Sequence, residues 1–272
     1  MSKPLVRRED ASQPQNAPSR KAAGLSPEIT KILRVAMARD AELLTVLNDR
    51  EPTAELLESL RSASVDDWFG FNAGGEVALR ARDLLAASLD AMPVPIDAAT
   101  LDELAADFAA IYLIHTYRAP PTESPWLDKD QLERQEPMFE LAAWYERFGL
   151  VAESRQRRSE DHMVLQLQFL AHLFSARNLN DEQCFAEVSR FLDQHLLRWI
   201  GDFAERVAAR CATPYYCGVV TVTHGYLESL RTYLAENFDL PRETFEDANN
   251  RNSKFTPDEE SGPYIPGIAP SW

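Results

Sequence analysis

The chain has 272 residues, 45% of them hydrophobic, and carries 28 Lys plus Arg against 43 Asp plus Glu, a net charge of −15. That length and apolar content suffice to bury one sizeable core. The acidic excess argues against nucleic acid, whose phosphates need clustered cations, and against an anionic membrane surface; it favours basic partners steered from a distance.

Residues 1–24 are polar, hold three prolines and no periodicity, and read as a disordered arm. Arg7-Arg8 invites a twin-arginine reading, but Glu9-Asp10-Ala11-Ser12-Gln13-Pro14 follows with no apolar segment. No export signal is expected from it, and the location predicted is cytoplasmic. No apolar run reaches the roughly 18 residues of a membrane span, so no insertion is expected.

Ser26-Pro27 forms a cap followed by proline at the first helical position, and Ile29, Leu33, Ala36, Leu43 and Leu47 recur at helical spacing. Gly74-Gly75 stands alone and reads as a turn, not a phosphate cradle. Thr100-Leu101-Asp102-Glu103 reads as a capping box that opens a stripe of Leu101, Leu104, Phe108, Ile111 and Tyr112. A third helix carries Met138, Leu141, Trp144, Tyr145 and Phe148 and stops at Gly149. A fourth, starting at Ser159, is apolar nearly all round and belongs in the middle of a bundle. Val188, Leu192, Leu196, Trp199, Phe203 and Val207 form the cleanest stripe of all, read as one helix. Thr213-Pro214 opens a last helix with Tyr216, Val220, Tyr226, Leu230 and Tyr233. Its Val219-Val220-Thr221-Val222-Thr223 has strand propensity, but one isolated strand has no partner in a helical body. From about residue 238 the pattern is lost again, and a mostly unstructured tail with Asn249-Asn250 and scattered prolines is expected. The fold predicted is all-α: a single helical-bundle domain over 25–237 between an arm and a tail.

Chemistry is sparse. Cys184, Cys211 and Cys217 are odd in number and lack the spacing of a zinc knuckle or redox dithiol, so they read as reduced thiols. There is no phosphate loop, no Gly-x-Ser-x-Gly elbow, and no Glu three residues before His115, His162, His172, His195 or His224. No metal and no cofactor are expected. Asp161-His162 pairs a carboxylate with an imidazole, which suits acid/base work. The competing reading is a helix start, with Ser159 as cap and Glu160 and Asp161 at the positive end of the helix dipole. The other unusual stretch is residues 117–127, where Pro120, Pro121 and Pro125 hold an extended, rigid loop carrying Glu123, Ser124 and Trp126. It reads as a recognition surface or as a stiff connection between helices.

These stretches together resemble the TorD/DmsD/NarJ family of chaperones for molybdenum enzymes. The residues concerned are Asp107-Phe108 with Pro120-Pro121-Thr122-Glu123-Ser124, then Tyr145, Gly149-Leu150, Asp161-His162 and Leu167-Gln168-Phe169-Leu170, then Phe191 with His195-Leu196 and Trp199. Tyr215-Tyr216 fits the aromatic position that opens the family's last helix. Thr122 stands where many members have an aromatic residue. The resemblance implies a cytoplasmic chaperone specific to one client: the immature catalytic subunit of a DMSO-reductase-family enzyme, with its twin-arginine signal peptide where there is one. Export would wait until the molybdenum cofactor is in place. It also implies a client-binding site at Pro120, Pro121, Glu123, Ser124, Trp126, Glu160, Asp161 and His162, with no catalytic residue; His195 and Trp199 read as core. The alternatives are a helical enzyme using Asp161 and His162 as acid and base on a nucleotide-like ligand, and a generic helical interaction scaffold.

Overall fold

A computed structural model of the protein describes residues 5–7, 26–71, 76–114, 116–152 and 158–242. Most of the arm, the Gly74-Gly75 turn and the tail beyond residue 242 lie outside the described residues.

Helix α1, Pro27–Asp49, starts as its sequence dictates: Ser26 Oγ accepts a hydrogen bond from the Ile29 amide at 3.3 Å, and proline follows the cap. Its buried face is Met37, Ala41, Leu44 and Leu47, while Ile29 is 48% exposed. The predicted stripe is thus rotated: of its residues only Leu47 is buried. Helix α2, Ala54–Ser62, and helix α3, Glu76–Asp90, follow; neither was read from the sequence. Helix α4, Ala98–Phe108, is capped three residues before the expected box. Asp97 is the cap, its carboxylate accepting from both the amide and the hydroxyl of Thr100 at 2.8 and 2.7 Å. A carboxylate is the stronger acceptor, so Thr100 becomes a donor instead of a cap. A π-helical turn, Ala109–Leu113, extends α4.

After the proline loop come the short α5, Ser124–Leu127, and α6, Glu136–Arg147, which ends at Gly149 with φ 70°, where the absent Cβ removes the steric cost. The strand β2, Leu150–Ala152, pairs antiparallel with β1, Leu5–Arg7, with Leu5 opposite Ala152. No strand pair was read from the sequence, since three residues are too few to display an alternation; β1 also gives structure to part of the predicted arm.

Helix α7, Met163–Ser175, is buried almost throughout and packs on α1. Arg34 of α1 donates to Phe174 O and Ala176 O at the C-terminal end of α7 and to Leu179 O in the connection that follows, at 2.9 to 3.1 Å. The long stripe ending at Val207 is fully buried as predicted but divides into α8, Asp181–Gln194, a 3-10 turn at Leu196–Arg198, and α9, Ile200–Ala208. The break falls at His195, whose backbone leaves the helical region at φ −129°, ψ −88° while its ring turns inward. Helix α10, Pro214–Phe238, takes in the strand-prone residues 219–223 as helix, with Thr221 and Thr223 hydroxyls donating to carbonyls four residues back. It packs on α3 and α9, and a Cβ at Gly218 would stand 2.8 Å from Leu85 Cα of α3. Glycine there permits the close approach.

Candidate functional site

The site grows from the proline loop. Its prolines extend the backbone, and Trp126 Nε1 donates to Pro120 O at 2.9 Å, closing the loop on itself. The extended edge then pairs with the segment entering α7. Glu123 N donates to Asp161 O at 3.1 Å, Met163 N donates to Pro121 O at 2.8 Å, and Thr122 stands opposite His162 in an antiparallel bridge. One of the orphan amides at the start of α7 is thereby satisfied by the loop.

Side chains lock the seam. Asp161 Oδ2 accepts from both the amide and the hydroxyl of Ser124, at 2.8 and 2.5 Å. Ser124 Oγ in turn accepts from Gln135 N at 3.1 Å, and Tyr145 Oη donates to Glu160 O at 2.8 Å. The Glu123 carboxylate receives Gln166 Nε2 at 3.1 Å on one oxygen and faces His195 Nδ1 at 3.2 Å with the other. Gln166 Nε2 also donates to Asp161 O at 2.9 Å. Glu123, Ser124, Asp161 and Gln166 are all fully buried. Burial pushes the Glu123 carboxyl above its usual range, and the adjacent His195 and the field of Arg198 pull it part of the way back.

All eight predicted residues meet at this seam. Ser159 is not the cap of α7. His162 is, its Nδ1 accepting from Val164 N at 3.1 Å, so helix and cap begin three residues later than predicted. The shift follows from the turn at 160–161, closed by His162 N donating to Ser159 O at 3.0 Å, and from the bridge at His162, which keeps that residue out of the helix. Asp161 and His162 therefore spend their inner atoms on structure, and they face different partners instead of one shared reactant. Pro120 and Trp126 remain half-buried at the outer edge. The Trp126 ring is stacked under the Arg206 guanidinium at 4.3 Å and lies 6.4 Å from both Trp199 and Phe203. Exposed Leu113 and Ile114 precede the loop. Gln135 and Gln166 complete the network and were missed; His195, which the family pattern singled out and which was read as core, joins it through Glu123.

Four buried atoms along this seam have no hydrogen-bond partner among the described residues: Asp161 Oδ1, Gln166 Oε1, Thr122 Oγ1 and Ser159 Oγ. Two are pure acceptors and two are hydroxyls, so the seam holds unfilled capacity for a donor-rich group. Among the described residues no group of three or more His, Cys, Asp or Glu could hold a metal ion, and no helix is long and apolar enough to cross a membrane.

Residues 76–205, which contain the whole seam, match the family model described as nitrate reductase delta subunit. Just under half of the chain is thus similar to this family, which takes in the TorD and NarJ proteins. Among its relatives is the chaperone protein TorD of Vibrio vulnificus, 32% identical over 39% of this chain and 52% of that protein. Chaperone protein TorD of Vibrio cholerae is 31% identical over 50% of this chain and 64% of its own length. That of Shewanella pealeana is 27% identical over 69% of this chain and 85% of its own. Against the Vibrio vulnificus relative, the chain spans about half the length of the protein it matches.

Proposed function

We propose that this protein is a dedicated cytoplasmic chaperone that binds the immature catalytic subunit of a molybdenum enzyme of the DMSO-reductase type. Where that subunit carries a twin-arginine signal peptide, the protein binds it too and delays export until the cofactor is inserted. The observation that carries this reading is the seam between the proline loop and the start of α7. Several residues that carry the family resemblance build it, and it lies inside residues 76–205, the stretch matched by the nitrate reductase delta subunit family model; relatives of the chain are named chaperones.

The chemistry supports a binding role without turnover. A guanidinium is a planar group of five donors, and the unfilled acceptors at Asp161 and Gln166 suit it. Glu123 and Glu160 lie behind them, Pro120 and Trp126 supply apolar contact at the edge with Pro121 buried beneath, and Ser124 and His162 hold the backbone in place. The acidic chain draws a basic leader toward this face from a distance.

The test is affinity capture from the native host under anaerobic growth, with mass spectrometry of what co-purifies. A large molybdopterin-binding subunit at high occupancy is the expected result and names the client. Capture of unrelated proteins alone overturns the reading.

A further inference from the structure

The seam does not account for every polar group that the fold leaves unfilled. On another part of the body, between the C-terminal end of α3, the start of α4 and the first turn of α10, lies a groove of about 370 Å³. Its walls include Leu84, Ala87, Met92, Leu104 and Tyr215. Most polar groups around it are already engaged. Ser88 Oγ donates to Leu85 O, Thr100 Oγ1 donates to Asp97, and Arg61, on α2, gives its guanidinium to Met92 O and Pro93 O. Tyr215 is the exception. It is only 1% exposed, yet its hydroxyl has no partner among the described residues. A phenol normally finds one when buried.

One wall residue is a carboxylate: Glu103 is exposed, and Asp102, Asp97 and Asp90, its near neighbours in the chain, are exposed too, although Asp97 is engaged by Thr100 and Arg61 is spent on the Met92 and Pro93 carbonyls. An anionic lipid or phosphate is thereby disfavoured, and a cation is favoured.

We propose that this groove is a second docking site, for a polypeptide segment with a large aliphatic or aromatic side chain next to a lysine or arginine. The apolar side chain enters between Leu84, Met92 and Leu104. The cation meets Glu103, and the Tyr215 hydroxyl donates to a peptide carbonyl. The proposal rests on the chaperone reading only in placing that segment on the client. Engagement at both the seam and the groove makes the second contact intramolecular and raises avidity without any new surface.

The experiment uses the full chain and a fluorescein-labelled amphipathic peptide of leucine and lysine at helical spacing, read by anisotropy. Ala87→Arg fills an exposed wall position with a cation and should weaken binding about thirtyfold, the size of a hot-spot loss. Tyr215→Phe removes only the unpartnered hydroxyl; it should weaken the peptide several-fold while the melting temperature does not fall. Wild-type affinity in both folded variants overturns the groove. Capture from the host separates the two readings. Client retained by the wild type and lost by Ala87→Arg upholds the groove. Equal recovery by both overturns the groove and leaves the chaperone reading standing. If neither captures a client, the chaperone reading falls, and the anisotropy result alone decides the groove.

Discussion

Glu123 illustrates how one carboxylate can organise a loop that its own sequence neighbours cannot hold. It is fully buried, held by Gln166 and His195, and its carboxyl lies above the usual value of 4.5 because burial disfavours the charge. A group whose pKa is raised by folding contributes stability at low pH and loses it as pH rises through the folded value. Wild type should therefore lose ground to Glu123→Gln as pH is raised from 4.5 toward neutrality. Melting temperatures of the two proteins across that range check this; parallel curves would remove Glu123 from the balance. Asp161 carries a different load. Both donors of Ser124 end on its Oδ2, so Asp161→Ala leaves a buried amide and hydroxyl unpaired and should cost about 1–3 kcal/mol. Urea titration reads the loss directly. Asp161→Ala is thus a perturbation of fold and site together, which the dipeptide Asp161-His162 alone did not reveal.

At the scale of elements, capping and close approach decide more than propensity. Asp97 displaces Thr100 as the cap of α4, and His162 displaces Ser159 as the cap of α7, each because a tertiary or stronger local acceptor is in place. Asp107 of α4 reaches across to the start of α10, accepting from Thr213 N and Oγ1 at 2.9 and 2.6 Å. The Thr213 hydroxyl is consequently a donor and does not cap its own helix. Along α10 the decisive residue is Gly218. Replacing glycine by alanine inside a helix ordinarily gains about 1 kcal/mol. Here the new methyl would lie 2.8 Å from the Leu85 backbone, so Gly218→Ala should cost about 1–3 kcal/mol through overpacking. Thermal unfolding of that variant gives the sign at once, and a rise in melting temperature would contradict the packing.

For the molecule as a whole, charge is the long-range property. A chain of net charge −15 should bind a basic leader more weakly as salt rises, because the Debye length shortens from about 30 Å at 0.01 M to about 8 Å at physiological ionic strength. Calorimetric titrations at the two salt concentrations check this, and a flat response would sink the electrostatic part. By itself, the sequence determined that the body is helical, that α7 and the Val188–Val207 stripe are central, that Gly149 ends a helix, and that the proline loop and Asp161-His162 belong to one constellation. Those features rest on short-range periodicity, on capping and turn chemistry, and on residue order within the family pattern. Tertiary structure alone decided that Glu123 and Asp161 face inward, that His195 breaks the long stripe, that Leu5–Arg7 pairs with Leu150–Ala152, and that Tyr215 lies buried without a partner. Each depends on contacts between residues far apart in the chain, where burial and hydrogen-bond satisfaction outweigh the local preferences that a sequence displays.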